Sequence, residues 1–305
     1  MTTARMFLLV LGLSLPIWAQ GPTPDSVPDG QNTPQAVPAP AAKDSTLKVE
    51  PGSPAIKNKD LYEGTGYLHP FVRMPLYVLR DQKDIWTSPF HSSRRDIKWW
   101  ALFGGATVGL IAADKSIQKA LPTSSTIVSV NNHASNIGSA YSLIPISAAF
   151  YFIGTGTHHE RFRETGLLGF EALIDTSLAV EAIKLVADRS RPNQDAGKGR
   201  FEDATSRWSS GFPSGHAISS WALASIVAHE YPHPLIIPIT AYALATTVVV
   251  ARVGARQHFP GDVVAGSAMG WFIGDFVYGK RHNDALDGKT TITQKILNHI
   301  QLGGD

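Results

Sequence analysis

Six apolar segments follow one another through the second two-thirds of the chain, and they constrain the fold more than any other feature. They cover roughly 98–113, 138–155, 167–188, 216–231, 235–251 and 262–279. Each is too long for an ordinary strand, and apolar and polar residues almost never alternate with a period of two. The pattern predicts an all-α fold, an up-and-down bundle of about six helices behind a disordered N-terminal tail. Two links are short, 156–166 and the turn around Tyr231-Pro232-His233-Pro234, and short links force antiparallel neighbours. Two others, 114–137 and 189–215, are long and polar.

The rest of the chain divides by composition. Residues 1–20 read as a signal peptide: Arg5 precedes the apolar run Met6 to Trp18, and Ala19 suits a cleavage site. The run is shorter than the roughly twenty residues a spanning helix needs, although an uncleaved anchor is the alternative. Residues 21–57 carry prolines at 22, 24, 28, 34, 38, 40, 51 and 54 and form a Pro-rich disordered linker. Residues 58–97 mix aromatics, charges and prolines and read as an irregular covering segment of short helical turns. Residues 98–280 form the helical domain, and 281–305 a C-terminal tail. The chain has no cysteine, so disulfides, thiolate chemistry and a lipid-anchored lipoprotein are all excluded. Lys plus Arg number 27 against 25 Asp plus Glu, a balance that argues against a nucleic-acid partner.

Chemistry-bearing residues concentrate in three pieces of the helical region. The first is Lys184-Leu-Val-Ala-Asp-Arg-Ser-Arg191-Pro192, at the end of the 167–188 helix. The second is Pro213-Ser214-Gly215-His216, a turn into the next helix with Ser214 at its N-cap. The third is Arg252-Val-Gly-Ala-Arg-Gln-His258-Phe-Pro-Gly-Asp262, in which Pro260 suits a first helical position. Chain direction and helix count bring all three to one end of the bundle. There Lys184, Arg191 and Arg252 supply fixed positive charge, and the start of a helix at Gly215 offers backbone N–H groups to an anion. Asp262 can accept from one nitrogen of His258, leaving the other free to attack. Each piece alone has an ordinary reading as a basic helix end, a capped turn or a surface histidine; their convergence points to a phosphate cradle.

In this order the pieces resemble the signature of the type-2 phosphatidic acid phosphatase and vanadium haloperoxidase superfamily, Lys-x6-Arg-Pro, Pro-Ser-Gly-His and Ser-Arg-x5-His-x3-Asp. Residues 184–192 and 213–216 match throughout, whereas Ala251 stands where the third pattern has Ser. The resemblance spans roughly 130–279. It implies that His258 is the nucleophile of a phosphohistidine mechanism, that Asp262 orients it, and that His216 protonates the leaving group. It also implies that Lys184, Arg191, Ser214, Gly215 and Arg252 bind the phosphoryl oxygens. With three cations in place the chemistry asks for no metal, so EDTA is expected to leave activity intact. The implied activity is a phosphatase on phosphomonoesters or lipid-like (pyro)phosphates. The alternatives are a soluble periplasmic acid phosphatase on small esters and a vanadium-dependent haloperoxidase holding vanadate in the same cradle; only the last needs a cofactor. A scaffold without enzymatic activity is the reading outside catalysis.

Two further motifs have structural readings. His158-His159-Glu160 is a solvated turn at the opposite end, because adjacent side chains diverge. Gly266, Gly270 and Gly274 make a small-residue stripe for close helix packing. That stripe and the apolar runs favour membrane association, with the active site facing the periplasm; Glu171, Asp175 and Glu181 in one helix favour a soluble bundle.

Overall fold

The computed structural model describes residues 69–91, 93–194, 197–202 and 210–287. The expected signal peptide, the linker, the start of the covering segment, part of the 189–215 loop and most of the C-terminal tail lie outside the described residues. Those described contain no strand; their α-helices are α1 (His69–Thr87), α2 (Arg94–Ala120), α3 (Ser125–Ser135), α4 (Ala140–Gly156), α5 (Glu160–Ala187), α6 (Gly215–Glu230), α7 (Ile236–Gly254) and α8 (Pro260–Arg281). Short 3₁₀ turns occupy Ser88–His91, Asn136–Gly138 and Asp284–Asp287.

Helix α6 is the hub, with most of its residues buried. Ile218, Ala222 and Ile226 of α6 pack with Leu168, Ala172, Ala179 and Val180 of α5 and with Ile273 and Val277 of α8. Each large side chain among them contributes about 1.5–3 kcal/mol by leaving water. The small-residue stripe sets the α6–α8 spacing. A Cβ at Gly266 would come within 2.7 Å of the Ser214 carbonyl, one at Gly274 within 2.6 Å of the Ala222 carbonyl, and one at Gly270 would collide with the carbonyl of Ile218. Backbones meet here, as the spacing of the three glycines predicts. On the other side of α6, Trp221 and Ala224 pack against Ala245 of α7. The α4–α5 contact is similarly close, since a Cβ at Gly166 would reach within 2.6 Å of the Ser147 carbonyl.

Two helices depart from the sequence expectation. The segment 58–97 was expected to make short turns, yet α1 runs for 19 residues despite Pro75 in its interior. Tertiary packing overrides the proline: Met74 and Val78 are buried against Tyr151 of α4 and Leu167 of α5. The polar link 114–137 also holds more structure than its composition suggests, because α2 continues to Ala120 and α3 forms within it. Gly254 at the end of α7 lies against α3, where an added Cβ would sit 2.7 Å from Cγ of Asn131.

Outer faces are apolar. Tyr141, Phe152 and Ile153 of α4, Ile236 and Val250 of α7, and Val108 of α2 are all exposed. Two stretches, Ser125–Gly156 and Ile236–Gly254, are long and apolar enough to cross a membrane, and most of the apolar window in each is not buried.

Candidate active site

The site forms where the end of α5, the start of α6, the end of α7 and the start of α8 meet. Helix α5 stops because Asp188 adopts a left-handed conformation (φ 43°, ψ 43°) as its C-cap. Ser214 caps α6, accepting from the Ala217 N–H at 3.4 Å, while its own N–H donates to the Asp262 carbonyl at 3.0 Å. That last bond ties the second sequence piece to the third. Pro260 opens α8, and Asp262 reaches back to accept from the Phe259 N–H at 2.8 Å.

His258 lies in the turn before α8 and is almost fully buried. Its Nδ1 sits 2.7 Å from the carbonyl of Gly211, a geometry that requires Nδ1 to carry the proton and donate it. Nε2 is therefore the unprotonated, nucleophilic nitrogen. Asp262, expected to make this orienting bond, stands 3.8 Å from Nδ1, beyond hydrogen-bond length. Its carboxylate is already occupied by the Phe259 N–H and by Arg189, so it acts on the imidazole only through its charge. Burial pushes the basicity of His258 down, with Asp262 opposing and the cations Arg191 and Arg252 reinforcing the shift.

The cations surround the second histidine. His216 sits in the first turn of α6, at the mouth of the site and outside both apolar spans. Burial, then the charge of Arg252, then neighbouring His258, Arg191 and Lys184 push its pKa down to about 3. Lys184, Arg191, His216, Arg252 and His258 thus share one electrostatic environment. Arg252 donates to Ser135 Oγ at 3.3 Å, and its buried Nε has no hydrogen-bond partner. Arg191 lies 3.5 Å from Oε1 of Gln257 through Nη1. Lys184 is paired with Glu181 at 2.7 Å, and its Nζ would be 3.9 Å from a Cβ at Gly215. Ser214 is fully buried with its hydroxyl spent on the cap. Ala251, at the position where the resembling pattern has Ser, is buried on α7.

Four supporting groups were not anticipated. Arg189, inside the first motif, is buried with its guanidinium 5.0 Å from the Phe201 ring and 4.6 Å from the Phe259 ring. It donates from Nη1 to Asp262 at 2.5 Å, from Nη2 to Asp114 at 2.8 Å and from Nε to the Gly199 carbonyl at 3.1 Å. Asp114 of α2 in turn accepts from the Gly261 N–H at 2.9 Å, satisfying an otherwise orphaned donor of the α8 N-terminus. Gln118, one turn later, donates to the His258 carbonyl at 3.2 Å. The fourth group is the Gly211 carbonyl, for which no side chain could have signalled. A lone acid at the end of an apolar helix looks like a solvated terminus, which is why Asp114 gave no warning.

The turn 158–160 has the structural role its sequence suggested: His158 is left-handed (φ 56°), His159 caps α5, and Glu160 pairs with Arg163 at 2.7 Å.

Among the described residues an all-helical frame brings the buried His258 and the half-buried His216 together with Lys184, Arg191 and Arg252, an arrangement suited to an oxyanion. Residues 166–284 match the family model described as the PAP2 superfamily, and the matched stretch carries all three motif pieces. The match supports a phosphatase. No curated protein matches the chain. Among solved structures the chain is similar to a crystal structure described as the first transmembrane PAP2 type phosphatidylglycerolphosphate phosphatase from Bacillus subtilis. The identity is 21%, the TM-score is 0.46, and the match covers 72% of this chain and 97% of that one.

Proposed function

We propose that the protein is a metal-independent phosphatase that hydrolyses phosphomonoesters or lipid-like (pyro)phosphates through a phosphohistidine intermediate. The observation that carries this reading is His258, fixed through Nδ1 by the Gly211 carbonyl, with Nε2 left unprotonated among Arg191, Arg252 and His216. Nε2 attacks phosphorus, a P–N bond forms, and the P–O bond to the alcohol breaks. His216 gives its proton to the departing oxygen. Water then attacks the phosphohistidine while His216 takes a proton back, and inorganic phosphate and His258 are released.

A histidine with a pKa near 3 is almost wholly unprotonated at neutral pH, so in the empty site it has no proton to give. A phosphate dianion among the same cations cancels their field and raises the affinity of His216 for a proton, so substrate binding itself arms the acid. Lys184, Arg191, Arg252 and the Gly215 N–H neutralise the phosphoryl oxygens as charge redistributes. Ser214 supports them as the helix cap. Asp262 serves His258 by charge and by anchoring the turn, with Arg189 and Asp114 holding it.

The up-and-down order of the helices is part of the same proposal, supported by the brief links between α4 and α5 and between α6 and α7. So is an inner-membrane location with the cradle facing the periplasm, supported by the exposed apolar faces of Ser125–Gly156 and Ile236–Gly254. Extraction with alkaline carbonate tests it; release into the supernatant contradicts integral helices and favours the soluble periplasmic alternative. Activity is tested with a panel of lipid phosphates and small esters, wild type beside His258→Ala and His216→Ala. Phosphate release that needs both histidines and persists in EDTA is expected. Halide oxidation with vanadate and peroxide, without phosphate release, would overturn the reading in favour of a haloperoxidase.

A further inference from the structure

Far along α5 from the cradle lies a second group of ionisable side chains with different chemistry. Asp81 of α1 and Glu171 and Asp175 of α5 are buried, with relative exposures of 0%, 2% and 0%. One carboxylate oxygen from each lies within 4.8 Å of the other two. Some of their oxygens have partners. Arg281 donates from Nη2 to Asp81 Oδ2 at 2.7 Å and from Nε to Glu171 Oε1 at 3.1 Å, and Gln82 donates to Asp175 Oδ1 at 2.9 Å. Asp81 Oδ1 and Asp175 Oδ2 have no hydrogen-bond partner although both are buried. Lys280 stands 3.9 Å from Asp81 Oδ1, too far to donate, and is engaged by Asp84.

Three buried carboxyl groups face the Arg281 guanidinium, with the Lys280 ammonium 3.9 Å from Asp81 and shared with Asp84, so the pocket holds more acidic groups than cations, a costly arrangement without a further counter-ion. We propose that Asp81, Glu171 and Asp175 bind one divalent cation, Ca²⁺, which locks α1 onto α5. The donors are all oxygen, which selects a hard cation over zinc or copper. Ca²⁺ takes oxygen at about 2.3–2.6 Å, and oxygens that all lie within 4.8 Å of one another can share one ion at that radius. Mg²⁺ demands shorter bonds and gives up its waters reluctantly, which suits an enclosed three-carboxylate pocket poorly. The ion neutralises the pocket and fills the coordination that the two orphaned oxygens lack. This site is separate from the phosphate cradle and does not depend on the phosphatase reading.

The test uses the full chain, purified in detergent and stripped with chelator. Equilibrium dialysis followed by elemental analysis is expected to find about one Ca²⁺ per wild-type chain. Thermal unfolding is expected to shift up by ~5 °C in saturating Ca²⁺ relative to EDTA. Both effects disappear in Asp175→Asn, and Glu171→Gln serves as the second variant should the first not fold. Wild type that holds no Ca²⁺, that takes Mg²⁺ in its place, or that melts identically in Ca²⁺ and EDTA overturns the proposal. So does an Asp175→Asn protein that binds Ca²⁺ as wild type does.

Discussion

Two histidines, His216 and His282, show how differently the two polar regions of this protein are built. His216 lies among cations and is pushed down to about 3. His282 follows α8, donates towards Glu164 at 2.9 Å or Glu230 at 3.2 Å, and is pushed up to about 10 by those carboxylates against the opposing effect of burial. Around His282 positive and negative charges are matched: Arg161 reaches the Glu230 carbonyl and Asp287 besides. Around His216 the matching is incomplete: Lys184 pairs with Glu181, but Arg252 has no carboxylate partner among the described residues. A matched network holds structure together. An unmatched one stores affinity for an anion, and that difference supports the end proposed here for the chemistry.

The comparison breaks most visibly through the nucleophile. His258→Ala is expected to lower turnover by about five orders of magnitude, measured as phosphate release, with the melting temperature little changed. His216→Ala should cost roughly 10²–10⁴-fold on alkyl phosphates and much less on a p-nitrophenyl ester, whose leaving group needs no proton. Arg189→Met leaves Asp114 and Asp262 buried without their cation, so a loss of about 3–5 kcal/mol in denaturant unfolding is expected.

Smaller effects sharpen the contrast between the two histidines. Because the folded pKa of His282 lies above its ordinary value, its contribution to stability is full below about pH 6.5 and fades as pH rises towards about 10. Melting temperature against pH should therefore fall over that window in wild type and fall less in His282→Gln. His258 has the opposite sign: its lowered pKa keeps the ring neutral in acid, so kcat/KM should persist below pH 6.5 before it declines. The smallest effect belongs to Glu181→Gln, which releases the partly exposed Lys184 pair and should change KM by less than about fivefold.

Much of this was legible in the sequence, for a physical reason. Lys184, Arg191, Ser214, His216, Arg252, His258 and Asp262 sit at helix ends, where prolines, glycines and caps mark position along the chain. Helix type followed from the length of the apolar runs, and the α6–α8 contact from Gly266, Gly270 and Gly274. What stayed hidden depends on contacts between distant residues. The pairs Arg189–Asp114 and Asp81–Arg281 join helices far apart in sequence, and no local pattern encodes them. The orienting bond to His258 comes from a backbone carbonyl, which every residue carries. Helix α1 was missed because Pro75 argues against a helix that packing nevertheless stabilises.

The central claim is that a neutral Nε2 on His258 takes the phosphoryl group. Acid-free quenching during turnover of a ³²P-labelled substrate, followed by peptide mapping, examines it directly. A base-stable, acid-labile label on the peptide containing His258, absent from His258→Ala, is the expected result. Turnover that proceeds at wild-type rate in His258→Ala, or a label carried by another residue, would contradict it.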